Sequence, residues 1–154
     1  MEKLFEAHLD LLRTCHREIL KALDGLPSQA LDWSPGPGTN SISVLIFHLT
    51  GSERYWIGDV AMRESSNRDR DAEFAVHGQD IDTLKQRLDD SLAYAGTVLA
   101  RLTVNDLSQS RQAPSDGRTV TIAWVVLHAL EHAAIHLGHI QLTRQLWEQS
   151  QTTD

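Results

Sequence analysis

The sequence predicts an all-α fold, a four-helix bundle, and three observations carry that expectation. Apolar residues recur at three- and four-residue steps in four separate segments. No stretch alternates apolar and polar side chains as a half-buried strand would. Connections rich in Pro and Gly, or in mixed charge, divide the segments from one another. Amphipathic helices must bury their apolar stripes, and a bundle lets four of them do so around one core.

The first segment covers residues 2–26, with Leu4, His8, Leu11, Leu12, Cys15, Ile19, Leu23 and Leu26 on one face and Gly25 and Pro27 as its stop. Residues 27–40 read as a loop, because Pro35 and Pro37 remove backbone donors and fix φ. The second segment opens at Asn40 or Ser41, both good N-caps, and runs through Ile42, Leu45, Ile46, Leu49 and Trp56 to about residue 61. Residues 63–79 are polar and of mixed charge, which predicts a solvated crossover. The third segment, 81–102, is the cleanest: Ile81, Leu84, Leu88, Leu92, Ala95, Leu99 and Leu102 share a face opposite the charges. Residues 103–120 form a second loop, with a turn at Pro114-Ser115-Asp116-Gly117. The fourth segment runs from a Thr121 cap to about residue 149. It is apolar nearly all round between Ile122 and Leu130, so it is expected to be the most buried helix. The longer connections, 27–40 and 63–80, permit neighbouring helices to run parallel, so the order of helices around the bundle stays open.

Composition narrows the function. A length of 154 residues suits one domain, expected over 1–154, and 41% hydrophobic with 23% charged residues is an ordinary globular balance. The net charge of −7 withholds the cationic surface that displaces counterions, so nucleic acid is excluded as a general partner. One cysteine, Cys15, excludes an internal disulfide and any Cys-only zinc site. Met1-Glu2-Lys3-Leu4-Phe5-Glu6 carries acidic residues and no unbroken apolar stretch, so no secretory leader is expected. No run approaches the ~20 apolar residues of a membrane span. A cytoplasmic protein without a membrane partner is the expectation.

Eight histidines remain, and their spacing carries the chemistry. His128, His132 and His136 recur at steps of four, each advancing about 40° around a helix. Side chains one turn apart point to one side, so His132-Ala133-Ala134-Ile135-His136 can converge two imidazoles on one transition-metal ion. His48 is the best third ligand. It lies in the apolar stretch Val44-Leu45-Ile46-Phe47-His48-Leu49, where a buried polar ring needs a partner. A divalent ion binds three neutral rings and removes their mutual repulsion. Spacing alone leaves both readings of these histidines open and favours the purely structural one over a metal site.

His128 continues the stripe but reads better as core or as support behind the ligands, since a fourth imidazole would close the site. His139 points roughly 60° away from His136 and suits a cavity rim. His8, His16 and His77 read as ordinary, and Cys15 as core rather than nucleophile. Competing motifs are absent. No Glu-x-x-His occurs, which argues against a di-iron carboxylate bundle. Ala133 follows His132, so the His-Glu-x-x-His protease clamp is missing. Gly36 and Gly38 lack the strand context of a phosphate cradle, and Ser115 reads as a turn former.

Taken together these segments resemble the DinB-like superfamily of four-helix-bundle metalloenzymes, relatives of the bacterial DNA-damage-inducible DinB protein. Leu31-Asp32-Trp33-Ser34-Pro35-Gly36-Pro37-Gly38-Thr39-Asn40-Ser41-Ile42 resembles the Trp/Pro-rich approach to the second helix. Val44–Leu49 with Glu53 and Trp56 resembles the first ligand helix, and His128–Ile140 the terminal one, where members often carry Gln at the position of His139. The resemblance implies a triad of His48, His132 and His136 holding a divalent metal, commonly zinc or nickel. It also implies a homodimer and a small-molecule substrate, with a low-molecular-weight thiol as co-substrate in some relatives. The function expected is a metal-dependent transferase or hydrolase of the thiol-dependent S-transferase type, with Glu53 and His128 as candidate acid/base or supporting groups. The alternative is a non-catalytic, metal-stabilised stress-response or dimerisation module.

Overall fold

The computed structural model describes residues 1–152. Helix α1 (Lys3–Leu23) buries Phe5, His8, Leu12, His16, Ile19, Ala22 and Leu23. Leu4 and Leu11, expected inside, are 50% and 55% exposed. Each precedes by one residue the seven-residue repeat Phe5, Leu12, Ile19, and one residue is a 100° turn off the buried stripe. Helix α2 (Ser28–Asp32) is a short turn within the expected loop, and it buries Ala30 and Leu31 before Pro35 and Pro37 stop further winding.

Helix α3 (Ile42–Glu53) starts at Ser41, whose Oγ accepts from the Val44 N–H at 3.3 Å. It then widens into a π-helix, Arg54–Ala61, so the second segment ends where the sequence places it but not with α geometry throughout. The connection that follows departs from expectation. Asp69 caps a short helix, α4 (Arg70–Phe74), accepting from the Ala72 N–H at 3.0 Å, and α4 presses Glu73 into the protein to 5% exposure. The charge of this stretch therefore serves a buried ion pair as well as solubility. Helix α5 (Ile81–Leu99), capped by Asp80, buries Leu84, Leu88, Ala95, Val98 and Leu99 on the expected face.

The loop after α5 holds a 3₁₀ turn (Val104–Ser108) and a two-stranded antiparallel hairpin, β1 (Ser110–Gln112) with β2 (Thr119–Thr121), pairing Arg111 with Val120. Strands of three residues are too short to show a period of two, so the sequence reads as loop there. The hairpin turns at Pro114–Gly117, where Gly117 takes φ 72°. Thr121 then caps helix α6 (Ile122–Ser150), its Oγ accepting from the Trp124 N–H at 3.1 Å.

Helix α1 packs against α5 and α6, and α3 packs against the same two. Of the long helices adjacent in sequence, α3 and α5 pack together, whereas α1 with α3 and α5 with α6 stand across the diagonals of a four-helix bundle. The core between them includes Leu12, Ile19, Ile46, Leu49, Leu88, Ala133 and Ile140. Its most enclosed member is α3, with ten of its twelve residues buried, and not α6 as the sequence predicts. The reason is placement: α2, α4, α5 and α6 all contact α3, whereas Leu127 on the outer side of α6 is 68% exposed. No helix among the described residues is long and apolar enough to cross a membrane.

Candidate metal centre

His132 and His136 sit one turn apart on the side of α6 that meets α3, and His48 comes from α3 to face them. One nitrogen from each of the three rings lies within 4.8 Å of the other two. Ring centroids are 5.1 Å apart for His48 and His132, 5.2 Å for His48 and His136, and 4.3 Å for His132 and His136. The two α6 histidines point Nε2 at Nε2, 3.1 Å apart. That separation lets both nitrogens stand about 2.0–2.1 Å from one shared ion. The contact between α3 and α6 therefore assembles the three histidines that the sequence singles out.

Burial first, then the charges of His136, His48, His128 and Arg68, push His132 down to about 3. Burial, His48 and His139 push His136 down to about 4. Both rings are therefore neutral at pH 7, with lone pairs free to bind. Their Nδ1 atoms are buried and lack a hydrogen-bond partner. Two facing Nε2 atoms can at best share one proton, and that leaves the third ring unserved, whereas one divalent cation satisfies all three. A set of neutral imidazoles suits zinc, nickel, copper or iron, so the residues fit a transition metal.

An unfolded histidine takes up its proton near pH 6.5, while these two resist it until about 4 and about 3. Between those limits the unfolded chain binds more protons, so stability falls as the pH drops from about 6.5 towards 4. Thermal melts of metal-free protein are expected to show that decline. The His132→Ala/His136→Ala double variant should show a flatter one.

Behind His48 stands a carboxylate that sequence reasoning missed. Glu73 Oε2 accepts from His48 Nδ1 at 3.1 Å, and Arg68 grips the same carboxylate through Nε at 2.6 Å and Nη2 at 2.7 Å. Burial alone would raise the Glu73 carboxyl, but the hydrogen bonds from Arg68 and His48 outweigh it and hold the group below the usual range. The available signal was the Asp69 cap closing on Phe74, a helical turn with one large apolar residue inside a charged run.

A cavity of about 340 Å³ opens beside the triad, lined by His48, His132, Tyr55, Trp56, Arg70 and Ser115 among others. His128 also reaches it but stays out of the triad, as the sequence suggests. Its ring stacks on Trp124 at 4.4 Å and meets Trp56 edge-on at 5.1 Å. His139 is exposed, with its ring 5.4 Å from that of His136.

Glu53 is a correction. It lies five residues beyond His48, a rotation of about 140° round the helix, and so faces away from the triad. In the core between α1, α3 and α5 it accepts from His16 Nε2 at 2.8 Å and from Ser91 Oγ at 2.5 Å. It therefore has no part in acid/base chemistry at the triad. His16, read as ordinary, is its buried ion-pair partner. Of the remaining candidates, His8 is buried with Nε2 unpartnered, and His77 is exposed against the Ala75 carbonyl. Burial and the charge of Glu53 raise the Cys15 thiol, the wrong direction for a nucleophile.

No curated protein sequence matches the chain. Among solved structures, a conserved Enterococcus faecalis protein superposes with a TM-score of 0.77 at 18% identity, covering 95% of this chain and 98% of the other. YfiT from Bacillus subtilis, described as a probable metal-dependent hydrolase with an unusual four-helix bundle topology, gives 0.76 at 15% identity over 94% of this chain and 89% of its own. A mycothiol-dependent maleylpyruvate isomerase, in a histidine-to-alanine mutant form, gives 0.64 at 19% identity over 86% of this chain, which spans 59% of the isomerase chain. These likenesses establish the fold. The sequence profile of the DinB superfamily matches residues 11–140, most of the chain, and the protein belongs to that superfamily.

Proposed function

We propose that the protein is a metal-dependent transferase or hydrolase of the thiol-dependent S-transferase type, with His48, His132 and His136 as ligands of a zinc or nickel ion. The observation that carries this reading is the convergence of three imidazole nitrogens within 4.8 Å beside an accessible cavity. Three protein ligands leave an exchangeable position, and that is the mark of a catalytic rather than a purely structural site. A divalent ion held there would lower the pKa of a bound water or thiol and supply a nucleophile at neutral pH. The choice of a low-molecular-weight thiol as co-substrate draws on the mycothiol dependence of one structural neighbour, and hydrolysis on the description of another.

The chain's own residues would bind and orient the substrate. Trp56 and Tyr55 offer flat walls, and Tyr55 is itself fixed by its hydroxyl donating to Ser115 Oγ at 2.8 Å. Arg70 is stacked over Phe74 at 4.8 Å and paired with no carboxylate among the described residues, so it is available to an anionic substituent. The test is elemental analysis of purified protein, followed by thiol-consumption and hydrolysis assays on zinc- and nickel-loaded samples against a panel of electrophiles and amides. Bound metal with metal-dependent turnover is expected. Absence of bound metal would overturn the reading, and bound metal without turnover would favour a non-catalytic module.

A further inference from the structure

We infer that Glu73 is the positioning residue of the metal centre: it holds His48 as the Nδ1–H tautomer so that Nε2 faces His132 and His136, and Gly51 is glycine because the Glu73 carboxylate occupies the space of a side chain there. This rests on the metal-binding reading above and adds the group that orients one ligand.

Neutral imidazole carries its proton on either nitrogen, and only the unprotonated one can ligate. Two groups compete for His48 Nδ1. The Glu73 carboxylate lies at 3.1 Å and would draw a proton onto Nδ1, while Arg68 Nη2 lies at 3.4 Å and would donate to a bare one. The carboxylate wins on distance. Moreover, an ionised carboxylate can only accept, so the shorter of the two contacts requires a proton on Nδ1, whereas Arg68 Nε and one Nη2 hydrogen are already satisfied by Glu73 at 2.6 and 2.7 Å. Nδ1 therefore carries the proton, and the Nε2 lone pair turns towards the triad.

Gly51 makes the seat. It stands three residues after His48, so the two are neighbours on the surface of α3. A Cβ on residue 51 would fall 1.9 Å from Glu73 Oε1 and 2.6 Å from its Cδ. Glu73 cannot swing aside cheaply, because the Arg68 fork grips both its oxygens and Asp69 fixes the helix that carries it. Any side chain at 51 thus evicts the carboxylate from His48. By contrast, His132 and His136 have unpartnered Nδ1 atoms. Among the described residues, then, Glu73 is the one carboxylate fixing a triad ring, and its loss should be felt in full.

The experiment measures zinc affinity by chelator competition for the wild type, Glu73→Gln, Gly51→Ala and His48→Ala. Alongside it, ¹⁵N NMR of the metal-free protein reports which His48 nitrogen carries the proton. The expected result is an Nδ1–H tautomer in the wild type and a smaller share of it in Glu73→Gln, where a neutral amide replaces the carboxylate and its NH2 competes to donate to Nδ1. Zinc binding should weaken about 10–100-fold in both Glu73→Gln and Gly51→Ala, the range typical for groups that orient metal ligands. Gly51→Ala keeps every charged residue, so an effect there separates loss of position from loss of charge. The inference is overturned if wild-type His48 is protonated on Nε2, or if Glu73→Gln binds zinc as tightly as the wild type. If instead the wild type binds no zinc, or His48→Ala binds it unchanged, the metal reading fails. The tautomer in the metal-free protein still decides what Glu73 does.

Discussion

Replacing His132 by alanine is expected to weaken divalent-metal binding by about 10²–10³-fold. Structural zinc sites with four ligands are worth about 10–16 kcal/mol, or about 2.5–4 kcal/mol for each ligand. At 1.4 kcal/mol per factor of ten, that is the loss stated. His136→Ala and His48→Ala should behave alike, because the three rings are within mutual reach of one ion. His128→Ala should not: its ring belongs to the Trp124 and Trp56 stack. Isothermal titration of metal-free variants with zinc or nickel checks the series. Equal losses at His128 and His132 would show that the binding point lies elsewhere along α6.

Glu53→Ala is expected to destabilise the fold by about 3 kcal/mol, the lower end of the range for removing one member of a buried ion pair, since His16 can shed its charge in response. For a chain of this size that is a fall in Tm of about 6–12 °C. The pair ties α3 to α1, and Ser91 Oγ adds α5 at 2.5 Å. His16 Nδ1 meets the Leu88 carbonyl at 3.1 Å and must donate there, so a proton is also needed between Nε2 and the carboxylate. Burial would lower the His16 pKa, but the charge and hydrogen bond of Glu53, aided by the Leu88 carbonyl, raise it overall. Such a group contributes its stability in full below about pH 6.5, and the contribution is lost as the pH climbs through the raised folded value. The gap between wild type and Glu53→Ala should therefore narrow on the alkaline side in melts across pH. Substituting both partners together with apolar residues should recover most of the loss.

Legibility followed the range of each interaction. Helices α1, α3, α5 and α6 were readable because apolar periodicity and the caps Ser41 and Thr121 act within a few residues. The pair His132 and His136 was readable for the same reason, since one helical turn sets their spacing. His48 stood out as a polar ring in an apolar run. What failed was local too, but too short to register: α2, α4 and the three-residue strands. Charge misled at residues 63–79, because Arg68 and Glu73 neutralise each other and can be buried as a pair. It misled again at Glu53, whose nearness to His48 in sequence is a rotation to the far side of α3.

By itself the amino-acid order determined the four long helices, the apolar faces of α3 and α5, and which histidines share the inner side of α6. Only the folded chain decided that α3 lies beside α5 and α6 and across the bundle from α1, that Glu73 returns from the crossover to His48, and that His16 meets Glu53. The division has one cause. Helical periodicity arises from hydrogen bonds four residues apart, whereas His48 meets Glu73 across 25 residues and His16 meets Glu53 across 37, contacts that exist only once the helices have packed.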